Sequence, residues 1–504
     1  MMNRQCPRFV VAALRGGAGK TTLSVAMAVA LRRQGIPVAP FKKGPDYIDA
    51  AWLSQAASGN CYNLDTFLMG NDQVVRSFSR HAVEGAVSII EGSRGLFDGV
   101  NAAGEFSTAQ LAKLLQAPVI LVVDCDKVTR TAAAMVLGCL HLDPAVDIRG
   151  VILSRVNGQR HASVTRQSIE DNTGLPVYGT VPRLPDLPFV QRHLGLVPPD
   201  EHGSIHQALE RASAMARDYL DIPALLDVAR SAPPWKIDAF PKPSCSCETV
   251  NDPITIGVIR DTAFQFYYED NIEALADRGI RVVFISALSQ KTLPPVDALY
   301  IGGGFPETRA GELAANESFR NSVKKAGDAG LPIYAECGGF VYLGEYLSIG
   351  DNRYPMAGAL PLAFCLEKRP QGHGYTRLVA DQDNPFFPVG QTITGHEFHY
   401  CRILSGRDSD MRTAFNVLKG TGIDGRREGL CRNNILGSFT HVHALGTPAW
   451  ADALIDRARE YRQTKLNQAR AGVLDRPDVT PLAGGWADHT IRSMKRGGFN
   501  YAAD

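Results

Sequence analysis

The stretch FVVAALRGGAGKTT at residues 9–22 decides how the first half of the chain is read. Residues 9–14 are continuously apolar and predict a buried strand. The glycine-rich turn at 15–19 follows, and apolar periodicity over 21–34 predicts a helix directly behind it. Such a loop turns successive backbone N–H groups toward phosphate oxygens, and glycine lets them come close. Lys20 supplies charge for the outer phosphates, and the Thr21 hydroxyl suits Mg²⁺. Gly16, Gly17, Gly19, Lys20, Thr21 and Thr22 are therefore the candidate nucleotide-binding residues.

Working outward, further apolar runs at 36–41, 87–90, 118–123, 151–153 and 177–181 alternate with helical patterns such as 108–115. This predicts a parallel sheet covered on both faces, making residues 1–230 one α/β domain. Residues 231–253 break the rhythm with five prolines and read as a linker. Cys245 and Cys247 fall there, as bystanders rather than a metal site. A second doubly wound unit is expected over 254–460, with strands and loops from about 352 and a helix at 450–467. Residues 461–504, including Trp486, form an extension with no assigned role.

Composition narrows the function classes. The chain has 504 residues, 45% hydrophobic and 21% charged, enough apolar material for real cores. Lys and Arg number 53 against 52 Asp and Glu, so net charge argues for neither a nucleic-acid binder nor an acidic tail protein. No apolar run approaches the roughly 18 residues of a membrane span. Residues 1–17 read as a first strand rather than a secretory signal. Ten scattered cysteines without zinc spacing fit reduced thiols and a cytoplasmic location.

Two groups of residues carry chemistry beyond the loop. GPDYIDA places Asp46 and Asp49 just past the second strand, and EGSRGLFDG places Glu91 at a strand end with Asp98 downstream. Parallel sheets bind ligands at the carboxyl ends of their strands. Carboxylates arriving there suit Mg²⁺ and a phosphoryl acceptor. Thr21, Asp46 and Glu91 are the candidate metal set; Asp46, Asp49, Asp98 and Arg94 are candidates for the substrate or phosphoryl site. Lys42 and Lys43 read equally as anion ligands or as a solvated surface pair. In LPIYAECGGFVYL, a strand ends at Cys337 and Gly338–Gly339 open a helix, the thiol counterpart of a nucleophile elbow. IGGGFPE offers the N–H groups of Gly303 and Gly304 as an oxyanion hole, and SFTHVHALG offers His441 and His443 as bases.

The nucleotide loop departs from GxxxxGK[ST] at position 14, a leucine, and is similar to the variant loops of the dethiobiotin-synthetase and MinD group, with Arg15 where the MinD branch carries lysine. Taken together, RGGAGKTT, GPDYIDA, EGSRGLFDG, STAQLAKLL with PVILVVD, RHLGLVP, YIGGGFPE, YAECGGFVYL, GHEFHY and SFTHVHALG resemble the cobyrinate a,c-diamide synthase family over about residues 8–460. The resemblance implies an N-terminal dethiobiotin-synthetase-like P-loop domain and a C-terminal class I glutamine amidotransferase domain. It implies ATP and Mg²⁺ as cofactors, and L-glutamine and a polycarboxylate tetrapyrrole as substrates. Neither nucleic acid nor membrane is expected as a partner, and a homodimer is compatible with it.

By position, Cys337 matches the family nucleophile and His441 its base. His396, Glu397 and His399 of GHEFHY receive no role. Many class I glutaminases carry His-x-Glu, whereas this chain has His441-Val-His443, which leaves the residue that orients His441 open. Ser93-Arg94 is closer to relatives acting on sirohaem or its nickel counterpart, so amidation of a sirohydrochlorin is the alternative within this chemistry. A MinD-like ATPase switch is the alternative outside it, and the Cys337 elbow discriminates against it.

Overall fold

The computed structural model describes residues 2–184, 189, 191–192, 195–237, 253–405 and 410–474. Residues through Tyr461 form one compact unit; from Arg462 the chain belongs to a second. Cys245, Cys247 and Trp486 lie outside the described residues.

The first sheet contains β1 (Arg8–Ala13), β2 (Val38–Lys43), β3 (Tyr62–Leu64), β4 (Val87–Glu91), β5 (Val119–Asp124), β6 (Ile148–Val156) and β7 (Val177–Pro182). Their order is β3-β2-β4-β1-β5-β6-β7, and every pair is parallel. Alternation explains why β1 is apolar from Phe9 onward. Val10 and Ala12 enter one core, while Phe9, Val11 and Ala13 enter the other. Helix α1 (Lys20–Arg33) is buried over most of its circumference because the helix Ile205–Tyr219 and the sheet both cover it.

The expected linker 231–253 needs correcting at its start. Trp235–Ile237 pairs antiparallel with Met2–Arg4. Trp235 is buried, packs edge-on against Phe78, and lies under the Arg8 guanidinium at 5.0 Å. The prolines at 233–234 therefore precede a docked edge strand rather than a free tether.

The second sheet contains β8 (Thr255–Ile259), β9 (Arg281–Ile285), β10 (Ala298–Ile301), β11 (Ile333–Glu336), β12 (Gly372–Ala380), β13 (Thr392–His399), β14 (Arg412–Lys419), β15 (Arg427–Arg432), β16 (Ile435–Ser438) and β17 (His441–Val442). The order is β9-β8-β10-β11-β16-β15-β14-β12-β13-β17. From β9 through β16 the pairs are parallel; from β16 to β17 they are antiparallel. The doubly wound half thus continues into an antiparallel extension that carries the GHEFHY strand.

The halves meet through polar contacts and through ring packing such as Tyr47 on Phe266. Tyr62 donates to Glu273 at 2.5 Å, Arg80 pairs with Asp277, and Tyr375 donates to Asp65 at 2.5 Å. Among the described residues no helix is long and apolar enough to cross a membrane.

Candidate active site

The strand ends of the first sheet converge on a cavity of about 600 Å³. It is lined by Gly16, Gly17, Gly19, Lys20, Thr21 and Thr22, together with Asp46, Asp49, Glu91 and Arg94. Gly17 and Gly19 hold φ of 72° and 95°, in the left-handed region that favours glycine. No atom lies within 4 Å of where a Cβ would sit at any of the three loop glycines, so the space in front of them is open. The Lys20 ammonium donates to the Arg94 carbonyl at 2.7 Å. Burial and the nearby Lys42 charge push Lys20 down to about 8, a state that an arriving phosphate would reverse.

Lys42 is no surface residue. It is 2% exposed, and its ammonium donates to Asp49 and Glu91 at 2.8 Å each, with Asp46 at 3.7 Å. Burial alone would lower its pKa, but these carboxylates hold it well above the ordinary lysine value. Thr21 donates to the same Glu91 oxygen at 2.8 Å. Burial pushes Glu91 up to about 7, and its second oxygen has no partner. Lys43 is buried as well, 3.7 Å from Asp65, so the solvated-pair reading fails for both lysines.

The hard-oxygen set of Thr21, Asp46 and Glu91 fits Mg²⁺, and the orphaned Glu91 oxygen is the specific observation behind that fit. Among the described residues no group of three or more His, Cys, Asp or Glu could hold a metal by itself. A Mg²⁺ arriving with nucleotide phosphates needs only one or two protein carboxylates. Asp98 behaves differently. It accepts from the Gly95 N–H at 2.9 Å and lines the neighbouring chamber rather than the nucleotide cavity.

That chamber, of about 480 Å³, contains the thiol site. Asp46, Ser93 and Arg94 line both cavities, which are therefore adjacent. Cys337 follows the last residue of β11 with φ 47° and ψ −103° and caps the helix Gly338–Leu343. A non-glycine residue in this region is strained, the backbone geometry expected of a nucleophile elbow. The Cys337 thiol donates to the Phe398 carbonyl at 3.7 Å. Burial first, then the Glu307 charge, push it above the ordinary thiol value. Gly303 and Gly304 border the thiol. A Cβ on Gly303 would come within 2.5 Å of the His441 ring and 3.5 Å of Cys337 Cβ, so only glycine fits between them.

The structure places His441 and Cys337 on either side of Gly303, in the same chamber, and leaves His443 elsewhere. His443 is fully buried with its Nε2 facing Asp270 at 3.5 Å. The GHEFHY strand forms the wall. His396 stacks on the His441 ring at 4.8 Å, Glu397 accepts from the Thr421 and Gly422 N–H groups, and His399 stacks on Phe439 at 3.8 Å.

Two residues escaped sequence reasoning. Glu336 lies 3.3 Å from His441 Nδ1; its only signal was a carboxylate ending a wholly buried strand. Tyr47, between Asp46 and Asp49, packs against Phe266 at 5.1 Å and against His441 at 5.4 Å. The aromatic inside an otherwise acidic motif was its signal.

Comparison with known proteins matches a domain family to each half of the chain. A family model described as the CobQ/CobB/MinD/ParA nucleotide binding domain matches residues 9–196, and one described as the CobB/CobQ-like glutamine amidotransferase domain matches 255–449. A nucleotide-binding domain and a glutamine amidotransferase domain on one polypeptide define the class: an ATP-dependent carbon–nitrogen ligase with glutamine as amido donor.

Curated relatives named cobyrinate a,c-diamide synthase narrow it further. The one from Magnetococcus marinus is 40% identical over 92% of this chain and 98% of its own length. Those from Archaeoglobus fulgidus and Methanothermobacter thermautotrophicus are 39% and 40% identical, each over 90% of this chain and 97% and 100% of their own. The chain belongs to the cobyrinate a,c-diamide synthase family.

Proposed function

We propose that the chain amidates the a- and c-acetate carboxylates of cobyrinate, using ATP and glutamine. The observation that carries this reading is the chamber shared by Cys337, His441, Asp46 and Arg94, adjacent to the nucleotide cavity. Nitrogen released at the thiol would pass from this chamber, past Asp46 and Arg94, to an acid activated at the loop.

In the thiol half, His441 takes the Cys337 proton as sulfur attacks the glutamine carboxamide. The Gly303 and Gly304 N–H groups would receive the developing oxyanion. The proton passes to the leaving nitrogen, ammonia departs, and a glutamyl thioester remains. Water then releases glutamate and restores the thiol. Because burial keeps the resting thiol neutral, it ionises only with His441 as acceptor.

In the nucleotide half, the loop glycines and Lys20 bind the phosphates, while Lys42 fixes Asp49 and Glu91. Mg²⁺, held by Thr21 with Glu91 or Asp46, would neutralise phosphate charge during transfer. A macrocycle carboxylate oxygen attacks the γ-phosphorus, giving an acyl phosphate and ADP. This activation is needed because a carboxylate anion is a poor electrophile. Ammonia then attacks the acyl carbon and phosphate leaves, forming the amide; two rounds give the a,c-diamide.

The macrocycle would occupy the chamber against Phe106, Tyr375, Phe398 and Tyr400, with exposed Arg94 and Lys419 meeting its carboxylates. Substrate identity is tested by mass spectrometry of products formed from cobyrinate and from sirohaem-type macrocycles with ATP and glutamine. Two mass changes of carboxylate to amide on cobyrinate support the reading; amidation confined to a sirohydrochlorin overturns it.

A further inference from the structure

We propose that Glu336 is the positioning residue of the thiol site: it holds His441 with Nδ1 protonated and provides the negative charge opposite the imidazolium when the thiol ionises. This deepens the assignment of Cys337 and His441 and rests on it. Glutaminases with a His-x-Glu motif place the orienting carboxylate two residues after the base; here His443 fills that place and points at Asp270 instead. The structure supplies a carboxylate from a different element, the residue immediately before the nucleophile.

Sheet register explains how. Glu336 ends β11 opposite Ser438 of β16, and the chain leaving β16 reaches His441 three residues later. Glu336 is 1% exposed. Its Oε2 lies 3.3 Å from His441 Nδ1 and accepts from the Tyr300 hydroxyl at 3.1 Å. Its Oε1 accepts from the Val442 N–H at 3.1 Å. Asn271 completes the frame, donating to the Val442 carbonyl and accepting from the Ala444 N–H. A carboxylate of this kind accepts, so Nδ1 carries the proton and the Nε2 lone pair is left to act as base.

The ring has little freedom to turn. His396 stacks on it with an interplanar angle of 17°, and Tyr47 packs on it at 5.4 Å. Gly303 sits against its Cε1–Nε2 edge, the same glycine that borders Cys337. Other ionisable groups near the pair are Glu307 and Glu428 on the thiol side, with His396, His443 and Tyr47 on the histidine side. Among the described residues, only Glu336 accepts from Nδ1. With burial raising the thiol, separation into thiolate and imidazolium needs that buried negative charge.

The test compares Glu336→Gln, Glu336→Asp and Tyr300→Phe in the full chain. Glutamine-driven turnover, ammonia-driven turnover and the pH dependence of Cys337 alkylation by iodoacetamide are measured, the last by mass spectrometry of the Cys337 peptide. Glu336→Gln is expected to lower glutamine-driven kcat about 100-fold or more, with glutamine KM little changed. Its alkylation profile moves to higher pH, because the imidazolium has lost its partner and the thiolate forms later. Glu336→Asp restores part of the rate, and Tyr300→Phe shifts the profile in the same direction by less.

An unshifted alkylation profile in Glu336→Gln, whatever its rate, overturns the proposal, since Glu336 would then only brace the Val442 backbone. Loss of ammonia-driven turnover would mark a folding defect in Glu336→Gln. Tyr300→Phe then decides: a shifted profile supports the proposal and an unshifted one overturns it. The underlying assignment fails separately, if Cys337→Ser still draws nitrogen from glutamine.

Discussion

The phosphate loop and the thiol elbow are built alike and finished differently. Each is a strand, a tight turn and a helix at the carboxyl end of a parallel strand, and each turn needs positive φ. In the loop, glycines take that conformation at 17 and 19, and the space in front of them is open. In the elbow, Cys337 takes it, at φ 47°, and its neighbours close around it. The loop keeps a lysine lowered to about 8 and a carboxylate oxygen with no protein partner, both suited to meet phosphate and Mg²⁺. The elbow has its hydrogen-bond partners already in the protein. A site for a variable, charged guest leaves its charges incomplete; a site that must generate its own nucleophile cannot.

The comparison breaks most sharply at Cys337. Cys337→Ser should lower glutamine-driven amidation by about 10³-fold or more while ammonia-driven amidation continues, measured by product mass spectrometry with each nitrogen source. Lys20→Ala should lower both by about 10²–10³-fold, because phosphoryl transfer precedes either nitrogen source. A Lys20 variant that lost only the glutamine-driven reaction would mean that the two sites had been assigned the wrong way round.

Lys42→Met probes how the charged network is held. Removing one partner of a buried ion cluster leaves Asp49 and Glu91 facing each other uncompensated, at a cost of about 3–5 kcal/mol in a urea unfolding experiment. Saturating Mg²⁺ should recover part of this loss, since a cation then meets the same carboxylates. Arg94→Ala should act more weakly, raising the macrocycle KM about tenfold with ATP KM nearly unchanged. An Arg94 variant with an altered ATP KM alone would mean that this residue, which borders both cavities, serves the nucleotide rather than the macrocycle.

Local patterns were legible in the sequence, and long-range pairings were not. RGGAGKTT and AECGG each lie at a strand–turn–helix junction within a dozen positions, so the structure's placement of Lys20 at the start of α1 and of Cys337 just past β11 follows directly. The burial of Lys42 depends on Glu91 from β4 and Asp49 from the helix Ile48–Ala57, which no single window contains. Glu336 meets His441 only because β11 pairs with β16 across about a hundred residues. The strand at Trp235 was hidden for a similar reason: its partner is Met2–Arg4 at the other end of the domain. GHEFHY was visible as a motif, but its work is to wall the thiol through a backbone carbonyl and a stacked ring, and neither is written in residue type.

Tyr47 lies where the two sites could exchange more than ammonia. Its neighbour Asp46 accepts the Asp49 N–H and faces Lys42 on the nucleotide side, while its own ring rests on Phe266, Tyr268 and His441 on the thiol side. A shift of the Asp46–Asp49 turn as nucleotide binds would therefore be felt at His441. Tyr47→Leu keeps much of the apolar volume and should cost only about 1 kcal/mol in stability. It removes a flat ring from the chamber wall next to Asp46, which borders both cavities, so its signature is stoichiometric. Glutamate released per amide formed should rise above one, and glutaminase turnover without ATP should increase relative to turnover with it. If both ratios stay at their wild-type values, Tyr47 is only packing, and the thiol site senses its neighbour by another route.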